Sequence, residues 1–401
     1  MRVTIEERHR LLKCCYDLSD FHSRSFNVIT VLAAKPAHAN HTVTREGVTL
    51  PAYRGDLVNR ATFDPDKRRP DPELLLRGYE RAGLTINFIR ALVDGGFADL
   101  HHPEYWALPF GCKSPLADDY LRMVHSISES LRFTEALTGH PLPEMDWVDF
   151  SSSREGLHLC YEEAVTRQVP RREGWYNLST HYPWIGNRTR NLDGSHVEYF
   201  RGIRNPIAVK LGLPIIPDKA VALCQTLNPA NEPGRLSLIT RFGDGCVAKE
   251  LPGIVQAVRR RGHNVLWVCD PMHGNTETTS TGIKTRRFER VLAELEATFQ
   301  ILVENGAHLG GVHFELTGEN VTECIGGACG LTEDDLSRNY RSPVDPRLNY
   351  EQSLEMALRL AKLLAKYIHA HTDRMLEGEI VSGCNTIGGT GVRALPPASL
   401  Q

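Results

Sequence analysis

Gly310–Cys324 reads GGVHFELTGENVTEC. A short apolar run there carries an imidazole, His313, and a carboxylate, Glu315, two positions apart. In a strand, residues two apart project from one face. The run ends in a Thr-Gly turn, the place where a parallel barrel keeps its chemistry. Trp267–Thr276, WVCDPMHGNT, repeats the design, with Asp270, Pro271 and His273 at the C-terminal end of an apolar strand. Two strand ends that offer imidazole and carboxylate point to a divalent metal site at the mouth of a β/α barrel.

Working outward, further strand-like runs occur at Phe26–Ala33, Trp147–Ser151, Trp175–Tyr182, Pro206–Gly212, Leu236–Gly243 and Asn264–Asp270. Several are continuous and apolar, as buried parallel strands are. Amphipathic helices are expected between them at Leu251–Arg261, Arg287–Asn305 and Tyr350–His371, with Pro252 in the opening turn of the first. Alternating strand and helix predicts parallel β/α architecture. Pro72–Gly139 breaks the rhythm with two long helical patterns and no strand, which predicts a helical insertion at 72–139 within one barrel domain, 1–376. The Gly-, Ser- and Pro-rich stretch 377–401 is expected to be a flexible tail.

Composition excludes several functions. At 401 residues the chain can bury a large core. A net charge of -3, with 24% charged residues, gives no nucleic-acid or membrane footprint. No apolar run reaches the ~18 residues of a membrane-spanning helix. The first residues, MRVTIEERHRLLKCC, lack the apolar core of a signal peptide. Ten cysteines lie scattered without zinc-finger or disulfide-scaffold spacing, which fits reduced thiols in the cytoplasm. Small phosphorylated molecules are the expected partners, and a homo-oligomer the expected assembly.

Several motifs together resemble one family: LPAYRGDLVN (Leu50–Asn59), HYPWIGNRTRNLDGSHVEYFRGIRNPIAVKLG (His181–Gly212), PGRLSLITRFG (Pro233–Gly243), WVCDPMHGNT, GGVHFELTGENVTEC and DPRLN (Asp345–Asn349). From about Phe26 to Lys366 the chain resembles the class II (plant-type) 3-deoxy-D-arabino-heptulosonate 7-phosphate synthases, which include short members from microbial secondary metabolism. The resemblance implies a (β/α)8 barrel that condenses phosphoenolpyruvate with erythrose 4-phosphate, with a divalent metal polarising the aldehyde. It makes His273, Glu315 and Asp345 three of the family's four metal ligands. One imidazole and two carboxylates suit Mn²⁺, Co²⁺, Fe²⁺ or Zn²⁺, and Mn²⁺ is the first expectation, with Co²⁺ next. It also makes Arg188, Lys210 and Arg241 the cations for phosphoenolpyruvate or the second phosphate, with Trp184 shaping the pocket and Lys35 matching a family lysine. Lys210 lies in IAVKLG, an apolar run where a lysine is costly without a partner. His313 is open to three readings: proton carrier, a group that orients a ligand, or a satisfied core histidine. With Lys210 it forms the candidate catalytic pair.

Three departures stand against the family pattern. No GGDCAE-type first strand is present, so the family's cysteine ligand has no counterpart, and neither Cys14 nor Cys15 takes that role. The family's VGR…AKPRS segment reads NVITVLAAKPAHAN here, so Val28 replaces an arginine and Ala37-His38 replace an Arg-Ser pair. The family's Gly-Glu-Arg turn is Gly186-Asn187-Arg188. These changes keep two alternatives beside the synthase: a relative with a different aldehyde in secondary metabolism, and an inactive homologue that regulates a complete enzyme.

Overall fold

The computed structural model describes residues 27–29, 42–95, 117–139 and 150–383. Cys14, Cys15, Lys35, Ala37 and His38 lie outside these residues. Contacts divide the chain into two compact units, Met1–Ser353 and Leu354–Gln401.

The elements run in chain order as β1 (Asn27–Ile29), β2 (Thr42–Arg45), β3 (Val48–Pro51), α1 (Pro65–Arg68), α2 (Glu73–Asp94), α3 (Ala117–Thr138), β4 (Phe150–Glu155) and α4 (Leu159–Ala164). They continue with β5 (Thr166–Gln168), β6 (Trp175–Asn177), β7 (Tyr182–Ile185), α5 (Ser195–Gly202), β8 (Ile207–Leu211), α6 (Pro217–Leu227), β9 (Leu236–Thr240) and α7 (Asp244–Arg260). The last are β10 (Leu266–Cys269), β11 (Thr276–Thr278), β12 (Lys284–Arg286), α8 (Phe288–Glu304), β13 (Leu309–Val312) and α9 (Tyr350–Gly383). Among the described residues seven strands form one sheet in the order β1-β4-β7-β8-β9-β10-β13, and every neighbouring pair is parallel. Crossovers through α5, α6, α7 and α8 make the second half a run of β/α units. Among the described residues no ladder joins β13 back to β1, so the described strands form an open parallel row, the kind of sheet a β/α barrel is built from.

The IAVKL run of β8 and the LSLIT run of β9 are buried at every residue, because helices cover one face and other side chains the opposite face. Alternation sorts them. Ile207, Val209 and Leu211 join Leu236, Leu238 and Trp267 in the large core under α6, α7 and α8. Trp184, Ala208, Ile239 and Val268 form a smaller cluster on the opposite face. Lys210 follows the same alternation onto that second face, and this is what brings an ammonium into the site.

Several sequence expectations change. Trp175–Tyr182 is not one strand. Its first part pairs antiparallel with β5, and the sheet strand starts at Tyr182. Asn177 accepts from the Ser179 backbone N–H (3.0 Å), an Asx turn that breaks the run. Of the expected strand Trp147–Ser151, residues 147–149 lie outside the described residues, and the strand described there is Phe150–Glu155. Pro252 lies inside α7, which starts at Asp244, and not in its opening turn. The buried stripe of Val247, Leu251, Ile254, Val255 and Val258 carries the helix through the missing N–H. The strand that leads to His313 ends at Val312, so His313 and Glu315 are not same-face strand residues. His313 keeps a last ladder bond, its N–H donating to Cys269 O (2.8 Å), while Glu315 sits beyond the strand and accepts from Leu348 N–H (2.9 Å). The last helix runs past His371 to Gly383.

Candidate functional site

The site gathers where β8, β9, β10 and β13 end. Asp270 is its hub and is fully buried. Its carboxylate pairs with Lys210 and accepts from the backbone N–H groups of Met272 and His273, each 3.1 Å away. It also holds His273 Nδ1 at 2.8 Å from Oδ2. Burial alone would raise the Asp270 pKa, but the His273 and Lys210 charges outweigh it and hold the carboxyl well below its usual range. Burial lowers the Lys210 pKa, against the pull of Asp270. Lys210 Nζ stands 5.8 Å from the Trp184 ring centroid, and Trp184 meets His313 edge-on at 5.2 Å. Burial, then Lys210, brings the His313 pKa down to about 3. His313 is therefore a neutral imidazole at physiological pH.

Because Asp270 fixes Nδ1, His273 presents Nε2 outward. Glu315 Oε1 lies 3.3 Å from that nitrogen and Asp345 Oδ2 3.9 Å. One donor atom from each of the three falls within 4.8 Å of the others. A second group of donor atoms, from Asp270, His273 and His313, is equally close. Each outer carboxylate turns its other oxygen to a cation. Glu315 Oε2 is 2.6 Å from Arg286 Nη1, and Asp345 Oδ1 pairs with Lys284.

Two fully buried glutamates hold the loops that carry these groups. Glu294, on α8, accepts from Phe242 and Gly243 N–H (2.8 and 2.9 Å) and from Asn275 Nδ2 (2.8 Å). It thereby ties the end of β9 to the His273 loop. The two backbones touch there: a Cβ on Gly274 would lie 2.3 Å from Gly243 N, and Gly243 has φ +87°. Glu323 accepts from Arg341, Ser342 and Arg347 N–H (3.1, 2.8 and 2.8 Å) and pairs with the Arg347 guanidinium at 2.7 Å. The loop bearing Asp345 is wrapped around it.

On the anion side, Arg241 donates to His273 O (2.9 Å), and its Nε is buried with no hydrogen-bond partner among the described residues. Arg188 is exposed at the rim. Asn187 accepts from Gly212 N–H (2.8 Å) and Arg190 Nε (2.9 Å), stapling the β7 loop to the end of β8. Glu155, at the end of β4, lies among Lys210, Arg188 and His273, and burial raises its pKa against all three. A Cβ at Gly186 would meet Glu155 Oε1 at 1.9 Å, so only glycine leaves that carboxyl its place. Among the described residues no helix is long and apolar enough to cross a membrane.

The Class-II DAHP synthetase family model matches residues 29–361. The chain belongs to the class-II DAHP synthetase family. A phospho-2-dehydro-3-deoxyheptonate aldolase from Neurospora crassa is 43% identical over 344 residues, covering 82% of this chain and 71% of its own length. The enzyme of that name from Streptomyces coelicolor is 44% identical over 322 residues, covering 80% and 71%. A third, from Mycolicibacterium smegmatis, is 42% identical over 324 residues, covering 80% and 70%. The solved structure of the Francisella tularensis SCHU S4 aldolase overlaps 59% of this chain and 66% of that one, with 16% identity and a TM-score of 0.34, too low to bear on the fold.

Within the family-matched region the structure brings together Trp184, Lys210, Arg241, His273, His313, Glu315 and Asp345 around Asp270. Sequence reading missed Glu155, Lys284, Arg286, Glu294 and Glu323. A signal existed for Glu155, an acid that closes a strand as Glu315 follows one. None existed for the others, whose partners lie far along the chain.

Proposed function

We propose that the chain condenses phosphoenolpyruvate with erythrose 4-phosphate to give the seven-carbon 3-deoxy-2-keto sugar phosphate and inorganic phosphate. The observation that carries this reading is the convergence of His273, Glu315 and Asp345 donor atoms within 4.8 Å, beside a buried Lys210. The donor set fits a divalent cation, because His273 Nε2 and one oxygen of each carboxylate face the same point while their other atoms are already engaged. Bound there, Mn²⁺ or Co²⁺ would supply Lewis-acid polarisation of the aldehyde oxygen.

The rest falls to side chains. Lys210 and Arg241 hold the donor's phosphate and carboxylate, and the buried Arg241 Nε gains an acceptor from such an anion. Carbon 3 of the donor attacks the aldehyde carbon, water adds at carbon 2, and phosphate leaves. Lys210, whose charge the Asp270 carboxylate supports against the effect of burial, stabilises the charge that develops. Neutral His313 hydrogen-bonds and carries no charge into the pocket. Glu155, with its raised pKa, can exchange a proton beside the donor. The same reading takes the open parallel row as part of a (β/α)8 barrel, α2 and α3 as an insertion in it, and the protein as a cytoplasmic homo-oligomer.

The test is release of phosphate and formation of the seven-carbon product on mixing both substrates with Mn²⁺. Release should need both substrates, and Lys210→Met should cut kcat/KM by about 100-fold or more. No release with any of Mn²⁺, Co²⁺ or Zn²⁺ would rule the reading out. One observation favours a second acceptor aldehyde: Ala37-His38 stand where the family has Arg-Ser. A panel of unphosphorylated aldehydes decides, the second reading requiring a higher kcat/KM with one of them.

A further inference from the structure

The β11–β12 hairpin follows the His273 loop directly and ends in Lys284, Thr285 and Arg286. Alternation puts Lys284 and Arg286 on one face and Thr285 on the other. Thr285 Oγ1 donates to Glu323 O (2.9 Å), away from the site. Lys284 reaches Asp345 and Arg286 reaches Glu315, the two carboxylates that face His273. Arg286 is fully buried, a costly position for a guanidinium unless its charge and donors are met. It is fastened by hydrogen bonds from Nε to Thr276 Oγ1 (3.0 Å) and from Nη1 to Pro346 O, and Nη1 ion-pairs with Glu315 at 2.6 Å, while Nη2 is buried with no hydrogen-bond partner among the described residues. Pro346 adjoins Asp345, so this one side chain touches both carboxylate-bearing loops.

We propose that this hairpin is a clamp, with Lys284 and Arg286 as positioning residues that each hold one oxygen of Asp345 and Glu315 and so aim the other oxygen at the metal. The proposal rests on the reading of His273, Glu315 and Asp345 as ligands. A group that orients a ligating carboxylate typically changes metal affinity 10- to 100-fold. Charge alone predicts the opposite sign. If Lys284 were only a neighbouring cation, its removal would relieve repulsion and tighten the metal.

Mn²⁺ titration of the full chain, followed by calorimetry and by electron paramagnetic resonance, separates the two. Lys284→Met should weaken Mn²⁺ about 10- to 100-fold and broaden its resonance, and Lys284→Arg should restore both. Arg286→Lys, which keeps the charge but loses the fork, should weaken Mn²⁺ at least tenfold, with near-ultraviolet circular dichroism reporting that the fold survives. Tighter or unchanged binding in Lys284→Met overturns the clamp. His273→Gln is the control. If it leaves Mn²⁺ binding intact, the ligand reading fails and the clamp with it. If it abolishes binding while Lys284→Met does not weaken it, only the clamp fails.

Discussion

The end of β9 and the His273 loop hang on Glu294, and the segment bearing Asp345 hangs on Glu323. Both carboxylates are fully buried and both collect N–H donors from loops remote in sequence. They differ in company. Glu294 meets neutral amides, and burial pushes its pKa up to about 7. Burial also acts on Glu323, but the Arg347 guanidinium and the N–H donors outweigh it and hold the pKa below the usual value. The difference between these two teaches that neutral donors leave Glu294 short of the compensation its burial calls for, whereas donors together with the Arg347 guanidinium outweigh the burial of Glu323.

The largest effect should come from breaking the charged bracket. Glu323→Gln leaves Arg347 without its carboxylate and sets an NH2 against backbone donors. A loss of about 3–5 kcal/mol in denaturant unfolding, together with loss of Mn²⁺ binding, is the expected outcome. A variant within ~1 kcal/mol of wild type would show the Asp345 loop to be self-supporting.

The uncharged bracket should respond in pH. In the folded chain Glu294 keeps its proton up to about 7, against an ordinary value of 4.5. Between those values the folded state binds more protons than the unfolded, so this group's contribution falls as pH rises, by on the order of 3 kcal/mol across the window. Glu294→Gln should remove that slope, so its unfolding penalty should be larger at pH 5 than at pH 7.5. Glu323 has the opposite sign. Its contribution is present above the unfolded carboxylate pKa and is lost as pH falls through the lower folded value. Parallel slopes for the two variants would erase the contrast.

The smallest effect should follow from trimming one donor. Asn275→Ala removes one of the hydrogen bonds to Glu294 and should cost about 1–2 kcal/mol by thermal unfolding. A larger loss would mean that Asn275 supports the His273 loop mainly through its bonds to Pro271 O and Asp244 N–H.

Much of the site was legible in sequence because its residues follow strands whose pattern is strong. IAVKL and LSLIT declare buried parallel strands, and a lysine within one of them demands a partner, which proves to be Asp270. His273, Glu315 and Asp345 carry short motifs of their own. Lys284, Arg286, Glu294 and Glu323 do not. The Lys284–Asp345 pair spans 61 residues and the Glu294–Phe242 bond 52, and local periodicity says nothing about which acid a distant base will meet. Trp175–Tyr182 misled for a related reason. Its composition suits a strand, but an Asx turn inside it competes with the ladder.

The contact of Gly243 with Gly274 fixes what this chain can tolerate under mutation. A methyl group at 274 has no room beside the Gly243 backbone, and a side chain at 243 meets Gly274 O at 2.8 Å in a backbone conformation that L-residues avoid. Neither position touches a donor atom of the site, and neither carries chemistry. In a saturation library selected for activity, 243 and 274 should nevertheless be blank columns, and no exchange at one can be rescued by trimming the other, since both are already trimmed to hydrogen.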